Sequence, residues 1–238
     1  MPLPFFSNIT KNLDAEFAAV DDTTKAEFLK SEAYQAICKV KTTTKTQSVH
    51  VTQNLINKTA AQKRKNDGRR IVSQHYVMAA PGVSEKEASA TNYAQSLYTS
   101  VTVKNIRWEW LHLVMHAVLG DAAQNQDNLV AGTYHANTNM ILAENNIPFL
   151  ANKYPEGFSL IIDSTLEPDT HIAKEINYSI KTPDVTLPLN FNAKETRQPH
   201  SAFNTYMKEF VANLVECVQA HKPDSTQNTN SSTSPRKA

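Results

Sequence analysis

Between residues 12 and 40 the apolar positions Leu13, Phe17 and Val20, then Phe28, Leu29, Tyr34 and Ile37, recur at three- and four-residue steps. That spacing draws one stripe on a helix, and Asp21 and Asp22 ahead of Thr23 interrupt or cap it. Residues 41–54 are rich in threonine, alternate poorly and read as an exposed strand or a loop. Ser84 with Glu87 three residues on has the form of a capping box, which predicts a helix over 84–100 carrying Tyr93, Leu97 and Tyr98. The period changes at Val101. Val101 and Val103, then Ile106, Trp108 and Trp110, with Arg107 and Glu109 on the other side, predict a strand. The apolar run over 128–133 predicts a second strand, and 135–145 a helix. Strands follow at 158–163 and 175–181, then an amphipathic helix over 202–221 with Phe203, Tyr206, Phe210, Leu214 and Val218 on one stripe.

This order of elements predicts an α+β fold of helices and short antiparallel strands. A helical N-terminal part is expected over 1–100, a core over 101–222, and a disordered tail over 223–238, where apolar residues are almost absent.

With 238 residues, of which 40% are hydrophobic, the chain can bury a real core, which excludes wholesale disorder. Its 5 glycines are too scattered for a dinucleotide or Walker-type phosphate loop. With Lys+Arg 24 against Asp+Glu 23, affinity for nucleic acid has to come from local clustering. One such cluster is 58–70, where Lys58, Lys63, Arg64, Lys65, Arg69 and Arg70 meet the single acid Asp67. A solvated helix face is the more common cause of such a run, so it matters only if a site lies beside it. Cys38 and Cys217 cannot make a disulfide framework or a four-cysteine zinc site. No secretory signal or membrane-length apolar window is read, so the chain is expected in the cytoplasm of the producing cell, with no membrane partner. Delivery into target cells by a dedicated secretion machine would leave no mark in it.

Chemistry concentrates between Trp108 and Glu144, in WEWLHLVMHAVLGDAAQNQDNLVAGTYHANTNMILAE. Strand, polar loop, strand and helix would put His112 at the end of the first strand, Asn128 at the start of the second and Asn137 in the first turn of the helix. That brings an imidazole and an amide oxygen to one cleft. Phosphodiester hydrolysis uses such a pair: the imidazole takes a proton from water, and a hard cation on an oxygen ligand neutralises the phosphate. His116, four residues after His112, has the spacing of a zinc pair, but Leu113 stands where a metallopeptidase needs glutamate. His116 is on this reading a contact to the site's other side chains or to the nucleic-acid substrate, or has no part in the chemistry, and His135 is a second-choice ligand or nucleic-acid contact. Asn137 has a plainer use as a helix cap, and Trp108 and Trp110 as core.

His112-Leu113, a loop with Gly120, Asn128-Leu129-Val130, and Asn137 nine residues after Asn128 resemble the ββα-metal (His-Me finger, HNH-like) nucleases. The segment is most similar to their DNA/RNA non-specific endonuclease branch and to the nuclease domains of Rhs-type polymorphic toxins. The resemblance implies a ββα-metal motif at about 107–146 and a metal-dependent endonuclease acting on DNA or RNA. His112 would be the general base, Asn137 the ligand of a magnesium or other divalent ion, Asn128 the brace of the loop, and Glu144 a carboxylate acting on metal-bound water. It further implies a bacterial toxin or effector with a cognate inhibitor (immunity) protein. The family's Asp-Arg-Gly-His is here Glu109-Trp110-Leu111-His112. The acid is kept and the arginine is not, so Arg107, Arg69 or Arg70 would have to contact phosphate. The alternative is a non-catalytic nucleic-acid-binding or protein-interaction domain on the same scaffold.

Overall fold

The computed structural model describes residues 19–65, 72–98, 105–183 and 185–197. The 202–221 segment, the tail, Arg69 and Arg70, and Val101 and Val103 lie outside them.

Helix α1 (Asp22–Lys30) starts where Asp21 accepts the Thr24 N–H at 2.9 Å. Ser31 both ends α1 and caps α2 (Glu32–Ala36). The threonine-rich stretch is a strand, β1 (Thr44–Val51), followed by α3 (Gln53–Lys65) and α4 (Gln74–Met78). The Ser84 capping box forms, but it closes a turn. Glu87 Oε2 accepts from Ser84 N–H at 3.0 Å and from its hydroxyl, while Ala88 N–H bonds Ser84 C=O. The helix itself, α5 (Ala90–Leu97), begins six residues later than the predicted start at 84, because Ser89 accepts the Asn92 N–H and caps it there.

Strand β2 (Trp108–His112) pairs antiparallel with β3 (Leu129–Thr133), Trp108 opposite Thr133 and His112 opposite Leu129. Between them lie the short helix α6 (His116–Leu119) and 3-10 turns at Gly120–Ala123 and Gln126–Asn128. Helix α7 (Tyr134–Glu144), capped by Thr133, follows β3 directly, then α8 (Ile147–Lys153). Strands β4 (Phe158–Leu166), β5 (Ala173–Lys181) and β6 (Thr186–Asn192) complete an antiparallel sheet in the order β1-β4-β5-β6. Strand β6, which the sequence reading did not predict, carries Pro188. Among the described residues it pairs only with β5, which makes it an edge strand there, where a missing N–H is tolerated.

The two-stranded unit divides two buried clusters. Trp108, Trp110, Leu129 and Ala131 join Phe28, Tyr34, Met78, Tyr93 and Leu97 on one side. Leu111 and Val130 join α7, α8 and the inner face of the four-stranded sheet on the other. With both faces covered, β3 is buried at every position and has no polar alternation to display. Gly132 is required there. A Cβ would lie 2.3 Å from Leu111 Cδ1 and 2.8 Å from the Ala193 carbonyl oxygen.

The boundary expected at residue 100 is crossed by both cores. Strand β1 belongs to the same sheet as β4, and α1, α2 and α5 bury the tryptophans of β2.

Candidate functional site

Chain order and pairing make a strand–strand–helix unit of β2, β3 and α7, with His112 the last residue of β2. The loop that leaves His112 enters the interior at once, and its backbone groups need partners there. Asn128, fully buried, supplies them. Its Oδ1 accepts Val114 N–H at 2.8 Å, and its Nδ2 donates to Val114 C=O at 2.9 Å and to Ala123 C=O at 3.0 Å. Its own carbonyl accepts Leu113 N–H at 2.8 Å. The side chain ties the two ends of the loop together, at Val114 and Ala123.

Strand β1 holds the same turn from outside. Lys45 Nζ donates to the carbonyls of Gln126 at 2.5 Å and Leu129 at 2.7 Å, and Gln47 Nε2 to that of Asp127 at 3.0 Å. Lys45 Nζ also lies 3.3 Å from His171 Nδ1, and His171 Nε2 lies 2.7 Å from the Cys38 carbonyl oxygen. This fixes the tautomer of a neutral His171, with Nε2–H donating and Nδ1 accepting. Burial pulls the Lys45 ammonium down to about 8, with the Asp127 carboxylate opposing. Burial, and then the Lys45 charge, pull His171 down to about 3.

The His112 ring is half-buried between α4 and the loop. Gln74 Nε2 lies 3.2 Å from its Nδ1, and the His116 ring stands edge-on with centroids 6.3 Å apart. Burial lowers its pKa to about 4; the Gln124 side chain opposes this and the neighbouring His116 adds to it. The imidazole is therefore neutral at physiological pH. His116 Nε2 is buried without a hydrogen bond and faces Asp121 Oδ1 at 3.8 Å. Helix α3 packs beside this loop, its buried Thr59 donating to Val118 C=O at 3.0 Å. The exposed Lys58, Lys63, Arg64 and Lys65 of the basic run are carried on that helix.

Asn137 has different company. Its Nδ2 donates to Glu109 Oε2 at 2.6 Å, and Glu109 Oε1 meets Arg107 Nη2 at 2.7 Å. The Arg107 guanidinium also lies over the Tyr134 ring, 5.0 Å from its centroid. Alternation along β2 sends Glu109 and Leu111 toward α7, and Trp108, Trp110 and His112 the other way. No hydrogen bond or ion pair among the described residues joins His112 to Asn137. Glu144, at the end of α7, accepts from the Tyr178 hydroxyl at 2.9 Å, and burial raises its carboxyl to about 7. That hydroxyl is also 3.1 Å from the carbonyl of Leu113, next to His112. The Nδ1 of His135 is buried without a partner, beside the Tyr134 ring.

The structure thus gathers His112, His116 and Asn128 at one loop, and Asn137 with Arg107 and Glu109 at α7. Lys45, Gln47, Gln74 and Gln124 were not foreseen, because their roles come from tertiary contacts between distant segments. Glu109 had a signal: it alternates with the two buried tryptophans on β2. None of the residues predicted for the site lines the groove of about 990 Å³ beside Glu32, Glu87 and Asn92.

No family model matches the chain, nor does any curated protein or solved structure. Among the described residues no helix is long and apolar enough to cross a membrane. Nor do three or more His, Cys, Asp or Glu side chains among them gather into a metal-binding group.

Proposed function

We propose that the chain is a metal-dependent endonuclease of the ββα-metal kind, hydrolysing phosphodiester bonds in DNA or RNA. The observation that carries the reading is the Asn128 brace at the foot of the loop leaving His112, within a strand–strand–helix unit. A neutral imidazole at a fixed strand end is suited to take a proton from water as it attacks phosphorus. The donors at α7, an amide and a carboxylate, are hard oxygen ligands of the sort magnesium accepts while keeping several waters. Asn137 and Glu109, across β2 from His112, would hold the ion, which would supply charge neutralisation to the phosphate backbone. Arg107, 71% exposed at its side chain, is available to a phosphate oxygen, and the lysines and arginine of α3 supply sequence-independent affinity. The same likeness to Rhs-type domains extends the proposal to a toxin or effector delivered into target cells and restrained by an immunity protein.

Plasmid nicking with added magnesium tests the reading, run beside His112→Ala. The expected loss is at least about a hundredfold, the low end for a general base. Undiminished nicking by a folded His112→Ala protein overturns it.

A second reading, a nucleic-acid-binding or protein-interaction domain without turnover, is favoured by one observation: Glu109 is already paired with both Arg107 and Asn137, on the side of β2 away from His112. It expects retention of labelled oligonucleotide with no cleavage under any metal.

A further inference from the structure

We propose that His116 is the general acid of this reaction, donating its proton to the leaving oxygen while Asp121 supports it from behind; the assignment rests on the nuclease reading above. The two imidazoles share one loop, 6.3 Å apart between centroids and at 67° to each other. Both are held by backbone that cannot easily drift. Asn128 fixes Leu113 and Val114 between them, and Thr59 fixes Val118 just beyond. The Nε2 of His116 is buried without a hydrogen bond, 3.8 Å from Asp121 Oδ1. With the carboxylate on the Nε2 side, Nδ1 is the nitrogen that would carry the proton to the leaving oxygen. The neighbouring ring, His112, is kept neutral by its burial.

The step balances without a co-reactant. Water oxygen forms a bond to phosphorus as the bond from phosphorus to the leaving nucleoside oxygen breaks. The proton of the water passes to His112, the proton of His116 passes to the departing oxygen, and exchange with solvent restores both rings. The basic side chains of α3, packed beside α6, would hold the strand over this pair.

A bridging-sulfur substrate tests the acid. The ends produced by the parent protein first identify which oxygen departs. An oligonucleotide is then made with sulfur at that one position, since a thiolate leaves without being protonated. The expected result is that His116→Ala cuts the ordinary linkage at least about a hundredfold more slowly, yet cuts the sulfur linkage within about tenfold of the parent rate. His112→Ala is slow on both. His116→Gln, which keeps more of the side-chain volume, is run in parallel with melting curves in case the alanine protein does not fold. Equal losses on both linkages in folded variants reduce His116 to a structural part, and equal retention removes it from the reaction. If the parent protein cuts neither linkage, the nuclease reading itself fails, and the acid with it.

Discussion

Asn128 binds Val114 as one peptide group binds another, accepting its N–H at 2.8 Å and donating to its C=O at 2.9 Å. Replacing it with alanine strands both groups in the interior, together with the carbonyl of Ala123. Each buried orphan costs about 1–3 kcal/mol, so Asn128→Ala is expected to lose at least about 3 kcal/mol in urea unfolding. Asn128→Asp is expected to be no better, because a carboxylate cannot make the two donations. A loss under about 1 kcal/mol would mean that the loop is held by other contacts.

Glu144 makes stability depend on pH. Its carboxyl lies at about 7 in the fold against an ordinary 4.5, because burial penalises the charge more than the Tyr178 hydroxyl relieves it. The folded state therefore holds the proton more tightly than the unfolded chain does. The stabilisation is complete below about 4.5 and is lost as pH rises through about 7, at no more than about 1.4 kcal/mol per pH unit. Glu144→Gln has no such loss. Melting curves of parent and variant should diverge in favour of the variant from pH 5 to 8. A constant difference across that range contradicts the assignment.

Gly132 leaves no room for a side chain. Leu111 could turn aside from a new methyl group, but the Ala193 carbonyl oxygen, 2.8 Å from the Cβ position, is backbone. Gly132→Ala is expected to cost about 1–3 kcal/mol as an overpacking change, read from the denaturation midpoint. Because Ala193 C=O also accepts the Thr133 N–H, the start of α7 should shift with it.

Chelation separates the cation from the fold. An ion held by one amide and one carboxylate, with water for its other ligands, adds little to stability, unlike a closed zinc site. EDTA should stop cleavage with the melting temperature nearly unchanged, and magnesium should restore it. Asn137→Ala should behave as the chelated protein does, while still retaining oligonucleotide. A large drop in melting temperature on adding EDTA would point to structural metal instead.

The sequence exposed those parts of the fold whose signal is local. Strands β2 and β3 and helix α7 were legible from the shift in period at Val101, the short apolar run and the Asn-rich helix start. Ser84 misled, because a capping box is complete within four residues and closes a turn as readily as it opens a helix; five residues on, Ser89 was the residue with a helix after it. Pro188 hid β6. At the site, His112, Asn128 and their loop could be read from spacing. The partnership of Glu109 with Asn137 could not, since it depends on how α7 crosses β2. Nor could the reach of Lys45 to Gln126 and Leu129, which depends on a sheet assembled from opposite ends of the chain.

That last contact has a kinetic meaning. Among the described residues strand β1 pairs only with β4, which begins at Phe158, so pairing must wait for a long loop to close, the slow kind of event in folding. Until then Lys45 and Gln47 have no fixed place from which to grip the carbonyls of Gln126, Asp127 and Leu129. The amides of Leu113 and Val114 should accordingly gain protection from hydrogen exchange in step with those of β1 and β4, and not with the earlier-forming contacts of α1 and α2. The loop that leaves His112 would then be among the last parts of the chain to mature, and a nascent or partly unfolded copy would lack its fixed geometry.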